Sequence, residues 1–286
     1  MAYAFDPSRA AELERVQGIE ATWDTCTIGL LESLGPGQGG SFLEVGAGAG
    51  SIARWAVGRV GASGEVVATD LDTRFLQNLP PGVTVLRHDI RTDPLPADRY
   101  DLVHARLVLS HLPERDAALA TAAAACRPGG VVLIEEFDES DTFGGSLHRP
   151  RVNSAEAEAI LLRAWPAVGV FVASLGYDAT YGHRLADSLA DCGLTDVTVT
   201  RTVAVLRGAT PQARAYRNSV AHLGLRMIEH GFLSAERLDP VLTLLDDPGF
   251  SMATPVLVSA MGRRPVQADS ARRAGRRFMG TAAGPG

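Results

Sequence analysis

The stretch Phe42-Leu43-Glu44-Val45-Gly46-Ala47-Gly48-Ala49-Gly50-Ser51 decides the fold. A short apolar run with the character of a strand ends in a glycine turn, and a helical pattern opens at Ile52. Glycines there let the backbone reverse tightly and approach a ligand closely, at the carboxyl edge of a sheet where open α/β folds bind small molecules. A nucleotide-like cofactor is implied. The dinucleotide fingerprint G-x-G-x-x-G starting at Gly46 requires glycine at position 51, where Ser51 stands. Here the glycines run G-x-G-x-G, with an acid, Glu44, two residues upstream. A pyrophosphate ligand therefore loses ground.

Similar apolar runs follow, bounded by glycine, aspartate and proline and alternating with helical stretches. They predict strands at 42–45, 65–69, 83–87, 100–104 and 131–137. Their near-continuous hydrophobicity suits strands covered on both faces, hence a parallel α/β sheet with right-handed crossovers. Upstream, Asp6-Pro7 reads as a helix start, and Leu13, Val16, Ile19, Trp23, Leu30, Leu31 and Leu34 recur at helical spacing until Gly35-Pro36-Gly37. The alternation breaks after Phe137. Residues 146–192 read as an insertion, mainly helical, with Trp165, Phe171, Tyr177 and Tyr181 interspersed. Strand patterns at 194–206 and 251–261 predict an antiparallel pair at one side of the sheet, with helices over 211–230 and 234–245 between them. The expected organisation is a cap helix in 1–40, a cofactor-binding α/β core in 41–145 and a helical lid in 146–192. C-terminal strands and helices in 193–264 complete the same domain, and 265–286 form a solvated tail.

Composition narrows the chemistry. The chain of 286 residues is 46% hydrophobic and 21% charged, which gives ample material for a core. A net charge of −6 offers no general attraction to phosphate backbones or anionic lipid. All 27 basic residues are arginine, so Schiff-base chemistry, a P-loop lysine and the lysine of a Tyr-x-x-x-Lys dehydrogenase are excluded. Cys26, Cys126 and Cys192 are widely spaced, which argues against a disulfide framework or a thiolate zinc site. The start lacks the pattern of a secretory signal, and no stretch approaches the ~20 apolar residues of a bilayer span. A cytoplasmic protein is expected, without nucleic-acid or membrane partners, and a homodimer is left open.

From Phe42 through Asp138, in order, the chain resembles the class I S-adenosylmethionine-dependent methyltransferases. Residues 44–50 resemble that family's first motif, whose glycine loop passes beneath the methionine part of the cofactor; this implies contacts at Glu44, Gly46, Ala47, Gly48 and Gly50. Asp70, closing Val66-Val67-Ala68-Thr69-Asp70, matches the acid that holds the two ribose hydroxyls, with Leu71 beside it. A carboxylate suits that task because it accepts two hydrogen bonds at once. His88-Asp89-Ile90 matches the third motif, implying that Asp89 accepts from the adenine amino group while Ile90 packs on the ring. The fourth strand, ending His104-Ala105-Arg106, places Ala105 and Arg106 near the methionine carboxylate and amino group. Arg127-Pro128-Gly129-Gly130 matches the turn before the fifth strand.

Leu107-Val108-Leu109-Ser110-His111-Leu112, followed by Pro113-Glu114-Arg115-Asp116, is similar to small-molecule methyltransferases related to quinone-biosynthesis enzymes. Their N-terminal helix folds over the methionine end, which implies a position there for Trp23 and Thr27, although core packing is the stronger reading of Trp23. The resemblance implies a Rossmann-like, seven-stranded, mostly parallel sheet with helices on both faces.

Methyl transfer from a sulfonium is an in-line displacement with an activated leaving group, so placement and water exclusion dominate and a base matters only for an acceptor that must lose a proton. His111, a few residues past the fourth strand, is the first candidate base. Glu135, Glu136 and Asp138 at the end of the fifth strand are next, and alternation lets at most one of the two adjacent glutamates face the pocket, so Glu136 is taken with His111. His148 and His183 read as surface or capping residues. No metal is expected, because Arg106 puts a cation where catechol-type relatives carry ligands. The acceptor expected is a small, partly apolar or aromatic secondary metabolite, O-methylated in preference to N- or C-methylated. The rival readings are an NAD(P) oxidoreductase and a noncatalytic cofactor-binding regulator.

Overall fold

The computed structural model describes residues 9–140 and 150–266. Asp6-Pro7, His148 and the arginines at 272, 273, 276 and 277 lie outside the described residues. Helix α1 (Arg9–Leu34) leads into β1 (Ser41–Val45), α2 (Ser51–Val60), β2 (Glu65–Asp70), β3 (Val83–Arg87), β4 (Tyr100–Arg106), α3 (Arg115–Ala125) and β5 (Cys126–Asp138). Helices α4 (Ala155–Ser174) and α5 (Tyr181–Asp191) precede β6 (Thr195–Thr202) and β7 (Val205–Arg207). Then come α6 (Pro211–Glu229), α7 (Ala235–Asp246), β8 (Ser251–Ala253) and β9 (Val256–Arg263).

Seven strands form one sheet in the order β3-β2-β1-β4-β5-β9-β6. The first five are parallel, and β9 runs antiparallel to both β5 and β6. The parallel sheet anticipated from the apolar runs is present, in the Rossmann-like, seven-stranded, mostly parallel form that the resemblance implies. The order departs in opposite directions from β1 and β4, which leaves a crevice above their carboxyl ends. Central strands are buried on both faces. Leu43, Val103, Ile134 and Leu119 fill one side with α3 and α5, and Leu31, Phe42, Ile52 and Leu102 fill the other with α1 and α2.

A third apolar layer stands apart from the sheet. It joins Trp165 and Phe171 of α4, Met227 of α6, Leu238 and Val241 of α7, and Leu206 and Met252 of the β7–β8 ribbon. The insertion expected over 146–192 is thus divided. Helix α4 belongs to this outer layer, whereas Tyr181 and Leu185 of α5 pack in the sheet core. Gly182 comes so close to β5 that a Cβ there would lie 2.6 Å from the Phe137 carbonyl oxygen. The outer layer also takes in residues 205–253, namely the expected helices at 211–230 and 234–245 together with the inner ends of the two expected strands. Those strands split at Val203-Ala204 and Thr254-Pro255, where the chain leaves the main sheet and Pro255 has no N–H for a ladder. Thr254 N donates to Ala204 O at 2.9 Å, tying the two departures together.

Helix α4 also corrects the expectation about apolar stretches. By length and composition alone its 20 residues are enough to cross a membrane, and its Ala157, Leu161, Ala164, Trp165 and Phe171 are buried in the outer layer. Helix α1 crosses α6 closely, because Gly18 carries no Cβ to collide with Ala215. Asn218 Nδ2 donates to Glu14 Oε2 at 2.8 Å across the same contact.

Candidate active site

The glycine turn forms the floor of a cavity of about 760 Å³. Gly46 has φ +71° and Gly48 φ +58°, a region that costs a residue with a Cβ. Gly46 N and Ala47 N both donate to Thr69 O, at 2.8 and 2.9 Å, which folds the turn against the end of β2. Gly48 N donates to Asp70 Oδ2 at 2.9 Å, and Asp72 N to Asp70 Oδ1 at 2.9 Å. Burial raises the pKa of Asp70, and these N–H groups oppose the rise. Each Asp70 oxygen keeps a further lone pair for a ligand hydroxyl. A Cβ at Gly48 would meet Val16 Cγ1 at 2.8 Å, so α1 closes the cavity directly over the turn.

Leu71, Asp89 and Ile90 line the same cavity. Arg91 holds the Asp89 carboxylate through Nε at 2.9 Å and Nη2 at 2.7 Å, and this pairing keeps its pKa below the usual range. Beside it, the two ring nitrogens of His88 are buried and have no hydrogen-bond partner among the described residues. They offer a donor and an acceptor to whatever fills that end.

At the other end, Glu44 is fully enclosed and burial drives its pKa well up. Its Oε2 has no partner, and Oε1 is 3.8 Å from His104 Nδ1. His104 Nε2 faces Glu135 Oε2 at 3.2 Å. Glu135 also accepts from Thr27 Oγ1 and Ser259 Oγ, each at 2.6 Å. Arg106 joins this group by donating to Thr27 Oγ1 at 2.9 Å and Asp24 Oδ1 at 2.8 Å. Four carboxylates, Glu20, Asp24, Glu44 and Glu135, therefore surround one arginine and one histidine whose pKa burial lowers. Burial biases Glu20 and Glu44 toward their neutral forms, and a cationic ligand group placed here would draw them toward their charged forms. Trp23 lines this wall and packs edge-on against Phe137, with ring centroids 5.6 Å apart.

Beyond the turn the cavity continues into the outer layer between Trp165, Val172, Val220, Leu223 and Met227. His111, Glu139, Tyr177 and Tyr216 line the same cavity. Burial and the Arg15 charge lower the His111 pKa to about 4, so its imidazole is neutral at pH 7 and a weak base. Burial pushes Glu139 up to about 7.

Of the residues expected to bind cofactor, Glu44, Gly46, Ala47, Gly48, Asp70, Leu71, Asp89, Ile90 and Arg106 line the cavity, as does His111. Gly50, Ala105 and Glu136 do not. Gly50 packs under the turn against Leu76 and Leu79 at the start of α2, and Ala105 is enclosed within β4. Glu136 is fully buried and accepts from Val108 N at 3.0 Å, Leu109 N at 2.6 Å and Ser110 Oγ at 2.7 Å. It satisfies the donors of a buried turn, a structural demand that outweighs a place in the pocket. Neither glutamate of the pair reaches the cavity. Glu139, Tyr216 and Glu20 do, and no motif marked them, because turn and helix packing bring them there.

The family model for a methyltransferase domain matches residues 26–197. The chain belongs to that methyltransferase-domain family. Among curated relatives of this family member, methyltransferase str2 of Strobilurus tenacellus is 33% identical over 135 residues, 43% of this chain and 48% of that protein. The ubiquinone/menaquinone biosynthesis C-methyltransferase UbiE of Cupriavidus metallidurans is 31% identical over 129 residues, 43% of this chain and 52% of that protein. The chain thus matches about half the length of these relatives. In fold it is similar to phosphoethanolamine N-methyltransferase 2 of Haemonchus contortus, solved with phosphomonomethylethanolamine and S-adenosylhomocysteine. There the TM-score is 0.52 at 16% identity, covering 88% of this chain and 57% of that one. It is also similar to YcgJ of Bacillus subtilis, with a TM-score of 0.54 at 14% identity, covering 85% and 99%.

Proposed function

We propose that the protein transfers a methyl group from S-adenosylmethionine to a small, partly apolar or aromatic metabolite, with oxygen the favoured acceptor atom. The observation that carries this is the continuity of one cavity, from a glycine turn and Asp70 into an apolar compartment. The residues present fit the cofactor. Asp70 has lone pairs for the ribose hydroxyls, and Leu71, Asp89, Ile90 and the unpartnered His88 face the adenine end. The unpartnered Glu44 Oε2 and its surrounding carboxylates suit the amino group, with Arg106 toward the carboxylate. When bound, the cofactor supplies a methyl group on a positively charged sulfur.

The protein's part is placement. Side chains of α1 and α6 close over the reacting ends and exclude water, and the apolar walls of the outer layer hold the acceptor's body. Neutral His111 lines the acceptor's path as a hydrogen-bonding group. The relatives named for ubiquinone/menaquinone biosynthesis C-methylation support a small-molecule acceptor. Isotope-labelled S-adenosylmethionine, offered with a panel of aromatic hydroxyl, amine and activated-carbon acceptors, tests the reading. Label on oxygen is expected. Label only on nitrogen or carbon rejects the preferred atom, and no transfer to any acceptor despite product binding rejects the activity.

A further inference from the structure

The loop after β5 brings a carboxylate, Glu139, into the wall of the cavity. Glu139 N donates to Ala179 O at 2.8 Å, and Asp178 N donates to Ser110 O at 2.8 Å. Arg115 fastens the same loop through Gly176 O at 3.0 Å and Asp178 at 3.4 Å. These bonds place the Tyr177 hydroxyl 2.6 Å from Glu139 Oε2, as donor. The His111 ring lies 4.8 Å from that of Tyr177, and all three side chains line the cavity. Glu139 is 8% exposed.

We propose that Glu139 is the base that receives the acceptor's proton, with Tyr177 as the residue that positions it. The inference rests on the methyl-transfer reading above. A general base works best when its pKa lies near the operating pH, and Glu139 meets that condition where His111, near 4, does not. Burial raises Glu139, the Tyr177 hydroxyl opposes the rise, and the Asp138 charge adds to it. The other groups facing this corner are Tyr216 from α6, His111, the Arg15–Glu12 pair from α1, and Glu136 behind Tyr177. Asp138 is itself 3.4 Å from His183. Tyr177, whose own pKa is driven far up, stays protonated and donates throughout the working range. As the acceptor oxygen bonds to the methyl carbon, the carbon–sulfur bond breaks with its electron pair left on sulfur. The hydroxyl proton passes to the Glu139 carboxylate. No further reactant is needed.

Two measurements test the assignment. Carbon-13 NMR of glutamate-labelled protein, without cofactor, should show a side-chain carboxyl signal that titrates near pH 7 and is missing in Glu139→Gln. Tyr177→Phe removes a donor to the charged form, so that midpoint should move up. Separately, 4-ethylphenol binding is followed by calorimetry with S-adenosylhomocysteine present. Between pH 6 and 8 its affinity for the wild type should rise about fivefold or more, as the carboxylate becomes able to accept the phenol's hydrogen bond. Glu139→Gln should show no rise while binding S-adenosylhomocysteine as the wild type does. A midpoint near the ordinary glutamate value, a pH-independent or absent 4-ethylphenol interaction, or a rise retained in Glu139→Gln overturns the proposal. Failure to bind S-adenosylhomocysteine at all strikes the underlying reading instead.

Discussion

Replacing Glu135 by leucine probes how α1 is held over the site. The side chain is fully buried and accepts from Thr27 of α1, Ser259 of β9 and His104 of β4. Leucine conserves much of the volume and leaves those donors without a partner. Buried unsatisfied donors cost about 1–3 kcal/mol each. The threonine and serine hydroxyls can turn toward backbone carbonyls, whereas His104 is locked in the strand interior. The net loss expected is therefore about 1–3 kcal/mol, set mainly by the unpaired His104 ring. Against a total stability of about 5–15 kcal/mol this is large. Urea unfolding at pH 7 reads it directly. The sign of the pH dependence is set as well, because the folded-state pKa of Glu135 is lowered. Its contribution is present above the ordinary carboxylate range and lost as pH falls through the folded pKa, so wild type and variant should converge in acid. A loss under about 1 kcal/mol at pH 7, or a difference that grows on acidification, refutes this account of the network.

The Gly18→Ala variant should lower stability by about 1–3 kcal/mol in thermal unfolding, because its methyl group collides with Ala215 where α1 crosses α6. Glu139 has a folded-state pKa raised from 4.5 to about 7, so its burial costs stability progressively as pH rises through that window. Glu139→Gln should accordingly be more stable than wild type at pH 8, by up to about 3 kcal/mol, and nearly equal to it at pH 4. Equal stability at both pH values denies the raised pKa. Gly48→Ala should weaken S-adenosylhomocysteine at least about tenfold, since it strains a left-handed residue by roughly 1–2 kcal/mol and presses on Val16; calorimetry on the refolded variant checks it.

The central strands and the turn at 46–50 were legible because their cause is local. Strands buried on both faces need apolar runs, and a turn that passes under a ligand needs glycine. Asp70, Asp89 and Arg106 are singled out by the resemblance of their motifs to the methyltransferase pattern, and all three line the cavity. What was illegible depends on partners far apart in sequence. The outer layer draws on 155–174 and 205–253 together, and alternation continues unbroken through Val203-Ala204 and Thr254-Pro255 although the chain changes sheets there. Alternation along β5 correctly sets Glu135 and Glu136 on opposite faces, yet it does not reveal that each face already holds donors requiring a carboxylate. The bidentate hold of Arg91 on Asp89 was readable only from the folded turn. Tyr177 appeared in the sequence as one aromatic among four, and its hydroxyl acquires meaning only beside Glu139.

The claim on which the account turns is that a sulfonium nucleoside lies over the glycine turn with its sugar held by Asp70. Calorimetric titration of the purified protein with S-adenosylhomocysteine, beside Asp70→Ala, measures it. The account predicts one site per chain, weakened about tenfold or more in the variant by loss of hydrogen bonds to a charged acceptor. Absence of binding to the wild type, or equal affinity in the two proteins, contradicts it.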